Sequence, residues 1–368
     1  MKVLLLGNYK YDRQESMQRF AKLLNTGLTE AGHEVRLLRA TPLVGRLRPA
    51  ANGIGKWCGY VDKFAIFPTE LKRAVKWADI THICDHSNAF YVKYLNSVPH
   101  IVTCHDLLAV SSALDEIPEH ATSRTGRHLQ KMILGGLRKA QHVVCVSEAT
   151  KAELMRLTSL PDDKASVVYN GLNYSYSPLP EDSEIALMKE VDINQPFFLH
   201  VGGNQWYKNR LGVLKIFSHL RSISPSQAKL VMVGKPWTPE MRQFIALNGL
   251  SEQVIELISV PNEHLKTLYA KAAALLFPSW REGFGWPIIE AQACGCAVFT
   301  SNIAPMTEVG GGAAVYVDPS DACGAAALIA NSLNRIPQLR RAGLENAKRF
   351  SAAAMINAYS AVYQRRAL

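Results

Sequence analysis

Short continuous apolar runs alternate along this chain with longer amphipathic segments. Residues 3–6, 34–38, 80–84, 100–103 and 142–146 read as strands. Helical stretches lie between them at 16–31, 69–78 and 126–140, with Phe20, Leu23, Leu24 and Leu28 on one face of the first. Unbroken apolar strands separated by helices predict a parallel sheet covered on both faces. After the short apolar pair at 167–168 the pattern breaks, and prolines and polar residues over 174–196 predict an interdomain linker. It then restarts, with strands at 197–201, 229–233, 254–257, 274–277, 297–300 and 314–317 and a helix over 210–223. The last segment, 352–367, is helical in pattern. The expected class is α/β, with two doubly wound, Rossmann-like domains facing across a cleft. Such sheets bind ligands outside the carboxyl ends of their strands.

Length agrees with two domains, since 368 residues exceed one typical unit. The 48% hydrophobic and 20% charged content is that of an ordinary soluble enzyme. The first apolar run is too short for a signal peptide, and no stretch approaches the roughly 20 apolar residues of a spanning helix. Any membrane contact is therefore expected to be peripheral. Seven cysteines, an odd number without framework spacing, point to a reducing cytoplasm.

The net charge of +10 is unevenly placed. Arg36, Arg39, Arg46, Arg48, Lys56, Lys63, Lys72, Arg73 and Lys76 face only Asp62 and Glu70. Leu37, Leu38, Leu43, Val44, Trp57 and Phe64 lie among them. This stretch reads either as a solvated face or as a patch that docks on anionic membrane.

Three segments carry candidate chemistry. In the first, a strand ends at Phe277 and a loop follows that holds Glu282, Gly283, Phe284 and Gly285. A helix then opens near Trp286, with Pro287 in its first turn. Glycines let backbone N–H groups approach a ligand, and the helix N-terminus favours a diphosphate. Glu290, one turn into the helix, can accept hydrogen bonds from the vicinal hydroxyls of a ribose. The alternative is a capping Glu282 with a surface Glu290. The second segment runs through Gly202, Gly203, Lys208 and Asn209, again from a strand end into a helix, with Lys208 placed to neutralise a phosphate. The third delivers His105 and Asp106 to the end of an apolar strand. His105 can bond a sugar hydroxyl or be merely structural, and Asp106 can orient it or cap a following turn. No Asp-x-Asp flanked by apolar runs is present, nor a Gly-x-Gly-x-x-Gly, a Gly-x-Ser-x-Gly or a Walker loop. A metal-carried diphosphate and a dinucleotide-dependent dehydrogenase are thus not indicated.

These residues resemble the retaining glycosyltransferases of family 4, also called group 1, which have the GT-B fold. Glu282 and Glu290 match that family's Glu-x7-Glu motif, inside a Pro-Ser-x-x-Glu-Gly-Phe-Gly-x-Pro-x-x-Glu-Ala context. Further matches are Val-Gly-Gly and Lys-Asn within 201–209, Val-Gly-Lys at 233–235, Leu-Tyr at 268–269, Ser-Asn at 301–302, Glu-Val at 308–309 and Asp-Pro at 318–319. The N-terminal half adds Thr-Cys-His-Asp at 103–106, Val-Ser-Glu at 146–148 and Tyr-Asn-Gly at 169–171.

The resemblance implies domains at 1–173 and 174–350, with a final helix at 351–368 packed back on the first. It implies that Glu290 holds the nucleotide ribose, Glu282 contacts the donor sugar, and Phe284 and Gly285 offer backbone N–H groups. Lys208 would stabilise the leaving diphosphate, and His105 would face the donor sugar from the other domain. Gly7, Gly202, Gly203, Asn209, Gly283 and Trp286 complete the implied donor contacts. No metal or other cofactor is implied. The chain departs from the family in two places. Gly203 stands where many members carry Arg, with Arg210 as a less direct substitute. A lone Gly7 followed by Asn8 replaces a Gly-Gly loop. The expected activity moves a sugar from GDP-mannose or a UDP-sugar to a glycan or lipid-linked acceptor, in the cytoplasm or at the inner face of the membrane. A sugar-nucleotide epimerase of the same architecture and a non-catalytic nucleotide-sugar binder are the alternatives. No motif supports a nucleic-acid partner.

Overall fold

The computed structural model describes residues 1–12, 14–47, 53–95, 98–117, 121–179, 192, 195–224 and 227–367. It divides into two units, Met1–Asn173 with Ala352–Leu368, and Tyr174–Ser351. Each is built on a parallel sheet of six strands.

In the first unit the strands are β1 (Lys2–Leu6), β2 (Glu34–Leu38), β3 (Ile80–Ile83), β4 (His100–Cys104), β5 (His142–Cys145) and β6 (Ala165–Val167). Their order is β2-β1-β3-β4-β5-β6. All of β3, β4 and β5 are buried, as expected of strands covered on both faces. The helix Ala352–Ala367 belongs to this unit and crosses Glu15–Glu30 at Gly27. A Cβ on Gly27 would stand 2.5 Å from Ile356 Cγ1, so any larger residue would force that side chain to shift. A buried polar chain fixes this last helix. His82 bonds Tyr363 Oη and Thr103 Oγ1, each at 2.7 Å, and Thr103 Oγ1 lies 2.9 Å from Tyr359 Oη.

The second unit holds β7 (Phe197–Gly202), β8 (Lys229–Gly234), β9 (Val254–Ile258), β10 (Ala274–Phe277), β11 (Ala297–Ser301) and β12 (Val315–Val317). Their order is β12-β11-β10-β7-β8-β9. Helices Arg210–Ile223 and Ala322–Ser332 pack together over one core, around Phe198, Phe217, Leu230, Leu276 and Phe299. Full burial of each such side chain contributes roughly 1.5–3 kcal/mol.

Two expectations shift. The helix expected at 69–78 runs Phe67–Ala74 and tightens to a 3₁₀ turn at Val75–Trp77. A helix at Gly53–Val61, continued as a π turn at Asp62–Ile66, forms where three glycines hid the periodicity. Most of the linker expected at 174–196, together with Arg48, lies outside the described residues.

Candidate functional site

The order of the second sheet reverses between β7 and β10, the place where an open α/β sheet leaves room for a ligand. Two of the expected segments leave the carboxyl ends of these two strands. After β7 come Gly202 and Gly203, a 3₁₀ turn at Trp206–Lys208, and Asn209 in the left-handed region at φ 51°. After β10 comes the loop that carries Glu282 and leads into the helix Trp286–Ala293. Gly285 precedes that helix at φ 102°, a conformation that glycine adopts without strain.

Side chains from neighbouring elements hold the β10 loop at successive carbonyls. Thr300 Oγ1 donates to Phe277 O at 2.8 Å, Asn209 Nδ2 to Pro278 O at 2.9 Å, and Ser301 Oγ to Ser279 O at 2.6 Å. The backbone N–H of Trp280 donates to Tyr207 O at 2.8 Å, which ties the two loops directly. Each buried bond of this kind is worth about 1 kcal/mol, and an orphaned carbonyl costs about 1–3 kcal/mol. Asn209 thus works on the protein's own backbone, and its amide also reaches Pro319 O at 3.4 Å.

The loops bring Lys208 and Glu282 together. Lys208 Nζ lies 2.7 Å and 2.9 Å from the two carboxylate oxygens of Glu282. Both side chains are largely buried, at 17% and 8% exposure. Lys208 Nζ also stands 5.3 Å above the Phe277 ring. Glu282 is thus engaged with Lys208, and Gly285, which precedes the helix, has no side chain with which to cap it.

Glu290 is buried rather than on the surface. It accepts a hydrogen bond from Tyr269 Oη at 2.9 Å. Burial, then the Glu290 charge, raises the Tyr269 pKa well above the ordinary phenol value, so the hydroxyl remains a donor. Phe284 turns its ring into the unit, 5.6 Å from Phe350 and 6.3 Å from Trp286. His200 on β7 is buried, with Nδ1 2.9 Å from Leu276 O, and burial pushes its pKa down to about 3. Arg210 is buried as well. Its Nη1 bonds Asn204 Oδ1 and, at 2.8 Å, Lys235 O, so it braces the ends of β7 and β8.

The second unit thus gathers Gly202, Gly203, Lys208, Asn209, Glu282, Gly283, Phe284, Gly285, Trp286 and Glu290. Gly7 and His105 belong to the first unit. Gly7 follows β1, and the order of that sheet reverses between β1 and β3. Beside it Asn8 is buried and bonds the side chains of Gln14 and Asp85. Asp85 also pairs with His86, Oδ1 to Nδ1 3.1 Å. Burial pushes the Asp85 pKa up, but the hydrogen bond and charge of His86 outweigh it and hold the carboxyl below the usual range. His105 Nε2 is 2.9 Å from Cys84 O, and Phe20 meets the ring edge-on at 4.6 Å. Burial lowers the His105 pKa, so the ring is neutral, with Nε2 protonated toward the carbonyl and Nδ1 the acceptor nitrogen. Asp106 accepts the Leu108 N–H at 3.1 Å, in the turn that leads into the helix Leu108–Ala113.

Tyr269, Thr300 and Ser301 were not singled out by chemistry in the sequence. Tyr269 and Ser301 stood only inside dipeptide matches, and Thr300 closed an apolar strand.

Comparison with known proteins bears on both halves of the chain. Residues 17–176 match the family model described as Glycosyltransferase Family 4, and residues 185–350 that described as Glycosyl transferases group 1. O-antigen chain mannosyltransferase B of Escherichia coli is 29% identical over 259 residues, 68% of this chain and 66% of that protein. O-antigen chain mannosyltransferase RfbU of Salmonella typhimurium is 32% identical over 196 residues, 53% of this chain and 51% of that protein. The matched part thus spans about half to two thirds of these curated relatives. Among solved structures, sucrose-phosphate synthase from Thermosynechococcus elongatus superposes with a TM-score of 0.77 at 18% identity, over 99% of this chain and 98% of that one. That likeness bears out the GT-B fold. With one model matched by each sheet-bearing half, the chain belongs to the family 4, group 1 glycosyltransferases.

Proposed function

We propose that the protein transfers a sugar from a nucleotide-diphosphate sugar to a glycan or lipid-linked acceptor, with retention at the anomeric carbon and without a metal. The observation that carries this reading is the Lys208–Glu282 pair at the switch point of the second sheet, with buried Glu290 on the helix that follows the same loop. Glu290, oriented by Tyr269, is suited to accept from two ribose hydroxyls. The Gly283–Trp286 backbone and the helix N-terminus are suited to the diphosphate. Lys208 supplies the positive charge that the departing diphosphate needs as the glycosidic bond breaks. A preorganised group of this kind contributes on the order of 10²–10³ in rate. Glu282 holds Lys208 through both carboxylate oxygens and is suited to a hydroxyl of the donor sugar once the phosphate takes Lys208 over. His105 is suited, through Nδ1, to accept from a sugar hydroxyl.

GDP-mannose or a UDP-sugar is the proposed donor class, and the names of the two O-antigen relatives favour mannose. An envelope polysaccharide is the proposed destination. Among the described residues no helix is long and apolar enough to cross a membrane. The test is transfer from labelled GDP-mannose and UDP-sugars to a lipid-linked glycan, with and without EDTA, and NMR of the product's anomeric configuration. Retained configuration and EDTA resistance support the reading. Donor turnover without acceptor contradicts it in favour of an epimerase, and donor binding without any turnover in favour of a non-catalytic binder.

A further inference from the structure

The basic residues between Arg36 and Lys76 are not all free surface charges. The Arg36 guanidinium stacks 3.9 Å above Trp77. Lys63 is buried against Asp12, at 2.9 Å and 3.0 Å from its two oxygens. Lys72 lies over Tyr94 at 5.5 Å. A smaller lobe of different character remains, made of the turn Gly45–Leu47 and the helix Gly53–Val61, which pack on each other. Asp62 holds them together from inside. Fully buried, it accepts from Tyr9 Oη at 2.6 Å and from the backbone N–H groups of Val44 and Gly45, each at 2.9 Å.

The lobe presents apolar side chains to solvent. Leu43 is 49% exposed, Leu47 78%, Trp57 60% and Val61 45%. Four of the ten large hydrophobic side chains exposed among the described residues therefore fall within 43–61, a clustering that scattered surface residues do not show. Trp57 and Val61 are one helical turn apart and share a face. Arg46 and Lys56 are exposed beside them, and no acid occurs between 43 and 61. The next acid along the chain, Asp62, is turned inward. Firmly held leucine, valine and tryptophan with flanking cations is the composition of an interfacial anchor. A nucleic acid would call for more cations and for planar side chains to stack on, and aliphatic ones dominate here.

We propose that this lobe docks on an anionic lipid surface, with Leu43, Leu47, Trp57 and Val61 entering the interface and Arg46 and Lys56 meeting the headgroups. Docking here rests on the reading of a lipid-linked acceptor. Vesicle binding is measured without donor or acceptor, however, so the two fail separately.

The experiment is flotation of the full chain with phosphatidylcholine vesicles, with and without phosphatidylglycerol. The wild-type chain should float with the anionic vesicles at least tenfold more than with the neutral ones. The pair Leu47→Ser and Trp57→Ser, and separately Arg46→Glu with Lys56→Glu, should each reduce that partition at least tenfold, with circular dichroism and Tm unchanged. Brominated lipid should quench the wild-type tryptophan fluorescence, and Trp57→Phe should remove most of that quenching while it still floats. Absence of flotation, equal flotation on neutral vesicles, or wild-type flotation by the serine pair overturns the assignment. So does a dimer on gel filtration that the serine pair dissociates without any vesicle binding, which would mark a protein interface.

Discussion

Lys208 and Glu282 hold each other through both carboxylate oxygens, at 2.7 Å and 2.9 Å, in a setting that exposes little of either side chain. In this pairing neither charge is left alone in a poorly solvated place, and the cation is held at the carboxyl ends of β7 and β10. In the proposed reading a donor phosphate competes with Glu282 for Lys208.

Removal of one partner leaves a largely buried charge unpaired. Lys208→Met should destabilise the second unit by about 3 kcal/mol, and Lys208→Met with Glu282→Gln by distinctly less. Urea unfolding of both single variants and the double variant measures the coupling. Additive losses would mean that the pair contributes nothing. In transfer assays Lys208→Met should lower kcat by about 10²–10³.

The bond from Tyr269 to Glu290 gives a graded test of the ribose assignment. Tyr269→Phe leaves the carboxylate in place but loses its orienting donor, and should weaken donor binding by about tenfold. Glu290→Gln should weaken it further, by about ten- to a hundredfold. Isothermal titration with the nucleoside diphosphate alone separates this from sugar contacts. An unchanged Kd in both variants would remove Glu290 from the nucleotide.

Thr300, Asn209 and Ser301 shape the Glu282 loop without themselves being charged. Asn209→Ala should lose about 1–3 kcal/mol of stability, since it orphans Pro278 O and keeps a left-handed backbone without the asparagine that tolerates it. Its kcat should fall more than its KM rises, because the loop is loosened and not deleted. Gly212→Ala is an independent check, because its Cβ would come within 2.2 Å of Asn209 Oδ1. It should reproduce the kcat loss in milder form, and wild-type kinetics in both variants would deny the loop this support.

His82 and His200 are both buried and neutral, with pKa pushed down to about 3. An unfolded histidine takes up its proton near pH ~6.5, which the folded chain resists. Their contribution is therefore fully present above that pH and is lost as pH falls toward 3, by up to ~1.4 kcal/mol per pH unit for each. Denaturant unfolding between pH 7.5 and 5 should show this slope, and His82→Gln should lower it by about one proton. An unchanged slope in that variant would mean that His82 titrates normally.

Much of the architecture was legible because buried parallel strands write themselves as unbroken apolar runs, as at β4 and β10. The glycines and Pro287 marked where the β10 loop turns into its helix. The partner of Lys208 was not legible, since Glu282 lies 74 positions away and only the adjacency of β7 and β10 joins them. Nor was the inward turn of Lys63 and Asp62, because a basic run in sequence does not say which charges the fold pairs. The helix at Gly53–Val61 was hidden by glycines that propensity disfavours and tertiary packing tolerates. The setting of Arg210 was not legible either: the fold buries it with Nη1 between Asn204 and Lys235 while Nε and Nη2 make no hydrogen bond.

The central claim is that the switch point of the second sheet holds a nucleotide sugar through Glu290. Thermal shift across UDP-, GDP- and ADP-sugars, on the wild-type chain and on Glu290→Ala, tests it most directly. One nucleotide class should raise the wild-type Tm by several degrees and leave the variant's Tm unchanged. An equal rise in both proteins, or no rise with any donor, would contradict the account.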